Sequence, residues 1–477
     1  MANGILLVLS GPNLNLLGER QPEVYGHDTL DDHLAVVEAA AAAQGLDVEH
    51  VQSNHEGELV DAVHGARGRC SAILANLGAL THYAWSVHDA LAAFEGPVVE
   101  VHLSNPAARE PDAARTVIDG LPSPEVAGRL PALATLLDGA GVDALVVTNL
   151  VNVRYLTGFT GSAGELLVDA GGALLVTDGR YREQAPGQVT AGVEVAIAGP
   201  ERRPTYVERL GGATRVGLEA GSATWADQRR LTGWLEEADL VPTEGLVESL
   251  REVKDAGEVA RIEAAAAIAD AALEEVADGI RAGASEREVA AALDHAMRCR
   301  GAEDRAFATI VAGGPNSALP HARPSDRVLA SGDLVVCDFG AVVDGYRSDM
   351  TRSFRVDGRS GGREDELRDA VRVAQQAGLD RVADGVPLAE VDAACRESLE
   401  ASGLGEAFVH GTGHGVGLDI HEAPTLSGSA TGTLRSGHVV TVEPGAYLAG
   451  LGGVRWEDTV LVTADGHRAL TRAPKAD

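Results

Sequence analysis

Short apolar runs alternate with amphipathic stretches along the first 118 residues of the chain. The runs are typical of buried strands, and the stretches between them are typical of helices with one apolar face. We expect strands at 5–9, 46–51, 72–75 and 98–101, and helices at 29–44, 56–67 and 81–94. Repeated strand–helix units of this kind predict an α/β domain with a parallel, flavodoxin-like sheet.

The middle stretch, up to about residue 247, mixes helical and strand-like patterns. A helical pattern at 129–140 precedes an apolar run at 144–148, and more apolar runs follow at 165–168 and from 173. This order predicts a second, mixed α/β domain.

The last part of the chain repeats one order of elements. Long helical patterns at 256–281 and 285–300 precede strand-like runs, and helical patterns at 364–384 and 388–401 precede a second group of runs. The repeat predicts an α+β domain whose two similar halves face each other. We therefore expect a multidomain chain divided into 1–118, 119–247 and 248–477.

Composition narrows the class of partner. Asp and Glu number 71 against 39 Lys and Arg, and the net charge of −32 argues against nucleic acid or an anionic membrane as partners. No run is long enough to span a bilayer, and we expect no signal peptide because the first apolar run is short and lacks a basic leader. The four cysteines are far apart without CxxC spacing, so we expect reduced thiols and a cytoplasmic protein.

Acidic residues stand at the ends of strand-like runs in the last part of the chain. Asp338 ends one run and Asp349 lies on the next, so the two carboxylates can face each other across a hairpin. Glu443 ends another run, and Glu457 comes just before a further one. Arg455 is two positions from Glu457 and therefore shares its strand face.

Four carboxylates on one buried face would repel one another strongly, and divalent cations remove that penalty. His414, in a glycine-rich segment, adds an imidazole. Such an oxygen-rich site suits Mn²⁺, Co²⁺ or Zn²⁺. Any one of these residues alone is better explained as an ordinary turn residue, but the five together predict a metal site.

The motifs around these residues resemble the pita-bread metallopeptidase family that includes aminopeptidase P and prolidase. The resemblance covers residues 255–477 and is carried by Val335-Val-Cys-Asp338-Phe-Gly, Tyr346-Arg-Ser-Asp349-Met-Thr-Arg, His410-Gly-Thr-Gly-His414-Gly-Val-Gly, Val440-Thr-Val-Glu443-Pro-Gly and Val454-Arg-Trp-Glu457-Asp. It implies a pita-bread domain with two divalent ions, Mn²⁺ before Co²⁺ or Zn²⁺. The implied ligands are Asp338, Asp349, His414, Glu443 and Glu457.

The same resemblance implies roles for residues around the metals. Glu443 would carry a proton to the leaving nitrogen. The other residues with counterparts in the family are His321, His410, His421 and Arg455. The three histidines would bind the substrate and stabilise the oxyanion. The implied substrates are peptides with proline at the second position. Aminopeptidase P is our first expectation, prolidase is close behind, and methionine aminopeptidase ranks lower because it usually lacks the middle domain.

The middle stretch resembles the creatinase-type N-terminal domain that aminopeptidase P and prolidase carry. The resemblance lies in Tyr155-Leu-Thr-Gly-Phe-Thr-Gly-Ser162 and in the run that ends Asp-Gly-Arg-Tyr181. It implies a domain that narrows substrate access and helps to build a homo-oligomer. Arg180 and Tyr181 are expected to be structural or interface residues, with substrate contact as the weaker alternative.

Polar residues follow each predicted strand of the first part. They are Asn13, Asn15, Ser53, Asn54, His55, Glu56, Asn76, His102, Ser104 and Asn105. One such turn alone would be explained by helix capping. Because ligands of open α/β sheets bind at the carboxyl ends of the strands, the four turns together predict a polar small-molecule site.

The first part resembles type II 3-dehydroquinate dehydratase. The resemblance is carried by Gly11-Pro-Asn13-Leu-Asn15-Leu-Leu-Gly-Glu-Arg20, Pro22-Glu-Val-Tyr25-Gly, Gln52-Ser-Asn54-His55-Glu56-Gly-Glu, Gly78-Ala-Leu-Thr81-His82, Asp89-Ala-Leu and Val99-Glu-Val-His102-Leu-Ser-Asn. It implies Tyr25 as the base, favoured as phenolate by Arg20, and His102 as the acid, with no cofactor. The residues implied to hold 3-dehydroquinate are Asn76, His82, Asp89, Leu103 and Ser104.

Two departures from that family divide the hypotheses. Ala113 stands where the family has a substrate-binding arginine, and the family's last strand and helix have no counterpart after Pro111. The first hypothesis is a bifunctional fusion that also converts 3-dehydroquinate to 3-dehydroshikimate, in the shikimate pathway of aromatic amino acid biosynthesis. The alternative is a peptidase whose first domain is an inactive remnant used for assembly, and the third is a non-enzymatic binding protein on the pita-bread fold.

Overall fold

The computed structural model describes residues 4–18, 27–78, 80, 84–94, 96–100, 118, 121–357 and 362–475. The chain divides into two compact units, 1–112 and 113–477. No helix within the described ranges is long and apolar enough to cross a membrane.

A parallel sheet forms the centre of the first unit, which confirms the prediction from its alternating pattern. Its strands are β1 (Gly4–Ser10), β2 (Leu46–Gln52), β3 (Ala72–Asn76) and β4 (Val98–Glu100), in the order β2-β1-β3-β4. The helices are α1 (Leu30–Ala43), α2 (Glu56–Ala66) and α3 (Trp85–Ala92). Thr29 begins α1 through a capping box with Asp32. Leu7 and Leu9 of β1 share a fully buried core with Leu59 of α2.

The second unit begins with a six-stranded mixed sheet, as predicted for the middle stretch. Its strands are β5 (Ala144–Val147), β6 (Gly164–Asp169), β7 (Gly172–Thr177), β8 (Val193–Ile197), β9 (Arg215–Glu219) and β10 (Asp239–Thr243), in the order β10-β9-β5-β6-β7-β8. The helices are α4 (Arg129–Ala140), α5 (Leu150–Thr157), α6 (Gln184–Gln188), α7 (Arg203–Leu210), α8 (Trp225–Trp234) and α9 (Glu248–Arg251). β6 runs antiparallel to both of its neighbours, and the other pairs are parallel.

Two helix pairs, each followed by strands, make up the rest of the second unit. The first group is α10 (Ala256–Val276), α11 (Glu286–Cys299), β11 (Ile310–Gly313), β12 (Leu334–Phe339), β13 (Val342–Val343), β14 (Tyr346–Arg347) and β15 (Met350–Arg355). The second group is α12 (Arg363–Leu379), α13 (Leu388–Ala401), β16 (Gly413–Gly415), β17 (Glu422–Leu426), β18 (Val439–Val442), β19 (Gly445–Leu448), β20 (Gly452–Arg455), β21 (Asp458–Thr463) and β22 (Gly466–Ala469). The predicted repeat is therefore confirmed.

The strands of this repeat form antiparallel sheets with the orders β11-β12-β15 and β17-β16-β18-β21-β22, and β13-β14 and β19-β20 form short ribbons. Asp338, near the end of β12, lies opposite Thr351 of β15. α10 ends five residues earlier than predicted, at Val276, because a 3-10 turn over 277–279 and the left-handed Gly283 follow it.

One apolar core runs through both parts of the second unit. Leu133 of α4 and Leu166 of β6 belong to the same buried cluster as Ile262 of α10, Tyr346 of β14 and Val439 of β18. Separating the two parts would expose these side chains to water, at about 1.5–3 kcal/mol for each large one. The two parts therefore pack as one body.

Candidate functional site

The structure brings the five predicted metal ligands together at the ends of the antiparallel sheets. Asp338 lies on β12, Asp349 directly precedes β15, and His414 lies on β16. Glu443 follows β18, and Glu457 stands between β20 and β21. Strand ends from both halves of the repeat therefore contribute side chains to one site.

The side chains of the group lie within a few ångströms of one another. His414 Nε2 lies 3.2 Å from Glu443 Oε1 and 3.6 Å from Asp349 Oδ2. Asp349, His414 and Glu457 each offer a ligand atom, and these three atoms lie within 4.8 Å of one another. The His414 Nδ1–H donates to the carbonyl of Gly415 at 3.0 Å, because a carbonyl oxygen can only accept. With Nδ1 engaged in this bond, Nε2 is the nitrogen that can bind a metal once it has lost its own proton.

Three carboxylate oxygens of the site have no hydrogen-bond partner among the described residues. Asp338 Oδ1, Asp349 Oδ1 and Glu457 Oε1 are buried and accept no hydrogen bond from any residue in the described ranges. A buried, unpaired carboxylate oxygen costs a large free energy of desolvation. Divalent cations satisfy such oxygens, so the residues present fit a metal site.

The carboxylates of the metal-free site resist ionisation. Burial, with repulsion from neighbouring carboxylates, raises the pKa of Asp349 and of Glu457 well above the ordinary values. Burial also works against ionisation of Glu443, but its hydrogen bond to His414 holds the pKa of Glu443 below its usual range. A cation in the site must therefore displace protons from Asp349 and Glu457.

Two glycines allow the strands to approach closely around His414. A Cβ atom on Gly413 would lie 1.9 Å from the carbonyl oxygen of Thr441 in β18, and one on Gly415 would lie 2.3 Å from the carbonyl oxygen of Ala423. Any larger residue at either position would push the neighbouring strand away. Glycine is therefore required at these two positions because the neighbouring strands pack so closely.

Arg455 organises one side of the site. Its Nη2 donates to Asp338 Oδ2 at 2.5 Å, and its Nε donates to the Thr351 hydroxyl at 3.0 Å. Thr351 in turn donates to Glu457 Oε2 at 2.6 Å. One guanidinium thus orients two of the carboxylates, and the predicted strand-face relation between Arg455 and Glu457 is realised through Thr351.

Tyr447 is a site residue that sequence reasoning missed. Its hydroxyl accepts from Arg455 Nη1 at 2.8 Å and donates to His410 Nε2 at 3.0 Å, while His410 Nδ1–H donates to the Gly411 carbonyl at 2.8 Å. The only signal in the sequence was its spacing from Gly445 on the ribbon β19-β20, which places it opposite Gly453. A single tyrosine at such a position has no distinctive motif.

The other predicted histidines lie near the same carboxylates. The His421 ring packs edge-on against His414, with 4.4 Å between ring centroids. Burial lowers the pKa of both His410 and His421, and the neighbouring His414 lowers the pKa of His421 further. The carbonyl of Pro320, beside His321, accepts from Arg455 at 3.3 Å. His421 therefore contacts a predicted metal ligand directly, while His410 and the segment of His321 are linked to the site through Tyr447 and Arg455.

In the middle part, the Tyr181 ring packs edge-on on Phe159 at 5.3 Å, and its hydroxyl accepts from the Ser162 amide at 2.9 Å. Arg180 pairs with Asp178 at 2.8 Å. These contacts stabilise the local fold of the sheet edge.

Polar side chains also meet at the carboxyl edge of the first unit's sheet. The amide of Asn13 donates to Asn54 Oδ1 at 2.9 Å, and Asn76 Oδ1 accepts from the Gly78 amide at 3.4 Å. Asp89 is exposed on α3. The remaining predicted residues of this site lie outside the described residues; they are Arg20, Tyr25, His82, His102, Leu103 and Ser104.

Family models match three consecutive regions of the chain. Dehydroquinase class II matches residues 4–129, the creatinase/prolidase N-terminal domain matches 129–253, and metallopeptidase family M24 matches 260–464. These matches confirm the three resemblances proposed from the sequence motifs.

Curated relatives and solved structures match over most of their length. An uncharacterized peptidase, YqhT, of Bacillus subtilis is 40% identical over 352 residues, covering 73% of this chain and 98% of the relative. The Xaa-Pro dipeptidase of Pyrococcus furiosus is 35% identical, with the same coverage. The structure of an Xaa-Pro dipeptidase from Bacillus anthracis superposes with a TM-score of 0.72 at 39% identity, covering 74% of this chain and 99% of the other. The prolidase from Pyrococcus horikoshii superposes with a TM-score of 0.69 at 33% identity, covering 73% and 99%.

Proposed function

The chain belongs to metallopeptidase family M24, and we propose that it hydrolyses the Xaa-Pro bond of short peptides with the help of two divalent metal ions. The observation that carries the proposal is the group of three buried carboxylate oxygens without a partner in the described residues, beside a histidine whose Nε2 lies 3.6 Å from Asp349 Oδ2. Relatives named Xaa-Pro dipeptidase support the substrate class.

We assign the metal ligands as the sequence predicted them: Asp338, Asp349, His414, Glu443 and Glu457. When bound, two divalent ions supply Lewis acidity that polarises the scissile carbonyl and makes a water molecule a better nucleophile. We propose Mn²⁺ as the native metal, because hard oxygen ligands dominate the set.

Glu443 is the residue proposed to move the proton. Its carboxylate has a lowered pKa and is therefore ionised and able to accept a proton from the attacking water. Delivery of that proton to the proline nitrogen completes the cleavage and restores the carboxylate. Thr441 donates to Glu443 Oε1 at 3.2 Å, and His414 contacts the same oxygen. These two contacts hold the Glu443 carboxylate in place.

The histidines would bind the substrate and the developing oxyanion. His410 carries its proton on Nδ1, and its Nε2 is held by Tyr447, which Arg455 holds in turn. His421, which packs against His414, and His321 would donate to an oxyanion. Arg455 would keep Asp338 oriented with one oxygen toward the metals.

Peptide length is the point at which aminopeptidase P and prolidase differ. The sequence alone placed aminopeptidase P first, whereas the relatives named above favour a dipeptidase. We therefore propose dipeptides as the first substrates to test, with tripeptides as the comparison. Purified protein with Mn²⁺ should cleave an Xaa-Pro dipeptide, and the Asp338→Ala variant should not; cleavage by the variant at the wild-type rate would refute the metal assignment.

The chain is a fusion in which a dehydroquinase-class-II-like domain precedes a prolidase-type peptidase. We propose that the first domain dehydrates 3-dehydroquinate, with Tyr25 as base and His102 as acid. The polar residues gathered at the carboxyl edge of its sheet support a small-molecule site. The alternative is an inactive domain used in assembly.

The two activities can be separated by one pair of variants. Tyr25→Phe should abolish the ultraviolet absorbance change of the conjugated product and leave peptidase activity intact, and Asp338→Ala should do the converse. A full-length chain that cleaves Xaa-Pro but gives no product from 3-dehydroquinate would establish the alternative.

We further propose boundaries at 118 and 247 for the three domains, a homo-oligomer, and a cytoplasmic location. The four cysteines support the last point, because all four are free thiols in the structure.

A further inference from the structure

A cluster of buried charges lies where the two parts of the second unit join. Arg251 ends α9 and Lys254 follows three residues later, with side chains only 3% and 1% exposed. The Glu422 carboxylate lies between them, 2.5 Å from Arg251 Nη2 through Oε2 and 2.8 Å from Lys254 Nζ through Oε1. Buried charges are stable only when each is paired, so Glu422 is held from both sides.

The same arginine also holds the other end of a short loop. Arg251 Nη2 donates to Asp419 Oδ2 at 2.8 Å, and the Asp419 amide donates to Glu422 Oε2 at 3.3 Å. The segment 419–422 is therefore fixed at both ends by one guanidinium. His421 is part of this segment, next to Glu422.

The His421 side chain forms no hydrogen bond with any residue in the described part of the chain. Its contact with the site is the edge-on packing against His414, and the residue is exposed to solvent. The direction of the ring is therefore set by the main chain of the segment that Arg251 holds. Movement of that segment by a fraction of an ångström would change the distance from His421 to any substrate oxygen.

Arg251 is in turn held by a helix of the mixed α/β part of this unit. Its Nη1 donates to Asn152 Oδ1 at 2.8 Å, and Asn152 on α5 is fully buried. The Asn152 amide nitrogen donates to Glu219 Oε1 and to Glu248 Oε1, each at 2.6 Å. A chain of hydrogen bonds thus runs from the end of β9 to the loop that carries His421.

We propose that Arg251 is a positioning residue for the peptidase reaction, acting through Asp419 and Glu422 to fix the direction of the His421 ring beside His414. This inference rests on the proposed peptidase function. The mixed α/β part of the second unit would then contribute to the peptidase reaction, because it holds Arg251 in place through Asn152.

The test compares Arg251→Met with a matched control, Arg129→Met, each measured on an Xaa-Pro dipeptide with Mn²⁺. Arg129 is also a buried arginine, 6% exposed and paired with Asp255 and Glu258, but it does not contact the segment 419–422. We expect Arg251→Met to lower kcat at least tenfold while KM changes less than threefold. Arg129→Met should change kcat less than twofold, and Arg251→Lys should recover part of the loss.

A double-variant comparison separates positioning from general stability. In a His421→Ala background, Arg251→Met should lower kcat by less than a further twofold, because the residue through which it acts is gone. If the tenfold loss persists in that background, or if Arg129→Met causes an equal loss, the proposal is wrong. Asp419→Asn, at a 38% exposed side chain, provides a second variant should Arg251→Met fail to fold, and it should lower kcat threefold or more in the presence of His421 only.

Hydrogen exchange gives a readout that needs no activity. Arg251→Met should speed amide exchange in the peptide that contains 417–422 and leave the peptides of α10 and β12 unchanged. A uniform increase, or no change at 417–422, would overturn the proposal. If the wild-type protein cleaves no Xaa-Pro peptide with Mn²⁺, Co²⁺ or Zn²⁺, the peptidase function fails, and the exchange result still decides whether Arg251 holds the loop.

Discussion

The Arg455 guanidinium donates to Asp338 Oδ2 at 2.5 Å, and the other carboxylate oxygen, Oδ1, is buried without a partner among the described residues. The arginine thus fixes which oxygen of Asp338 faces the carboxylate group. Residues that orient metal ligands typically change metal affinity when they are replaced.

Arg455→Gln should weaken Mn²⁺ binding by about 10- to 100-fold, because Asp338 loses its orienting donor. Titration calorimetry on the metal-free protein would measure the affinity. Arg129→Gln, a buried arginine away from the site, serves as the control and should bind Mn²⁺ normally. Unchanged affinity in Arg455→Gln would show that Asp338 is oriented by other groups.

The stabilisation that metal gives should grow as the pH rises. Burial raises the folded-state pKa of Asp349 and Glu457, so the metal-free fold gains stability from their protonation below about pH 4 and loses it as pH rises through the folded pKa values. Bound cations remove this loss. The Tm difference between Mn²⁺-loaded and EDTA-treated protein should therefore increase between pH 5 and pH 8, and a constant difference would contradict the assigned ligands.

His438 predicts a separate loss of stability in acid. Its side chain is 1% exposed, and burial, with the nearby charges of Arg435 and Lys254, lowers its pKa from 6.5 to about 4. Because the folded protein binds this proton more weakly than the unfolded chain, the free energy of unfolding is unaffected above pH 6.5 and falls as the pH drops toward 4. The complete loss would be about 3 kcal/mol. His438→Asn should lose less stability than wild type between pH 7 and pH 4.5 in thermal melts, and parallel curves for the two proteins would remove His438 as the cause.

Tyr447→Phe removes the hydroxyl that joins Arg455 to His410. We expect kcat to fall at least tenfold, within the range of positioned proton donors, while metal content stays the same. Steady-state kinetics and elemental analysis would measure the two quantities. Tyr206→Phe is the control, because the Tyr206 hydroxyl bonds to Glu165 in the six-stranded sheet, away from the metal ligands. A normal kcat in Tyr447→Phe would leave the hydroxyl without a role.

Gly413→Ala tests the close approach of β16 to β18. The added Cβ would lie 1.9 Å from the Thr441 carbonyl oxygen, so the strands must separate, at about 3 kcal/mol. His414 would move with its strand, and we expect both Tm and metal affinity to fall. At Gly279 an added Cβ meets no atom within 4 Å, and Gly279→Ala should leave both values unchanged. A Gly413→Ala protein with normal Tm would mean that the backbone yields easily there.

The sequence could predict that the four acidic side chains and His414 meet, because these residues stand at fixed places relative to strands. Asp338 and Glu443 end apolar runs, and strand ends of one domain meet at the same edge of a sheet. Tyr447 and Thr351 could not be found this way, since their role depends on which side chains lie opposite them across strands. The link from Asn152 to Arg251 was equally hidden, because these residues are 99 positions apart.

Fold prediction had a similar limit. Periodicity predicted the parallel sheet of the first unit, because each strand and its helix are neighbours in the chain. In the six-stranded sheet, β5 pairs with both β6 and β9, and no local pattern indicates the second pairing. The end of α10 at Val276 followed from a 3-10 turn that helical spacing alone did not indicate.

The apolar core that joins Leu133 and Leu166 to Ile262 and Val439 also limits how this protein can change over time. A genetic exchange that replaced one side of that core would leave the other side with a mismatched apolar surface. The two sides should therefore be inherited together. The first unit has a core of its own, around Leu7 and Leu59, and none of the residues in that core belongs to the shared core of the second unit. The gene region that encodes the shared core, from Leu133 to Leu470, should therefore be inherited as one piece.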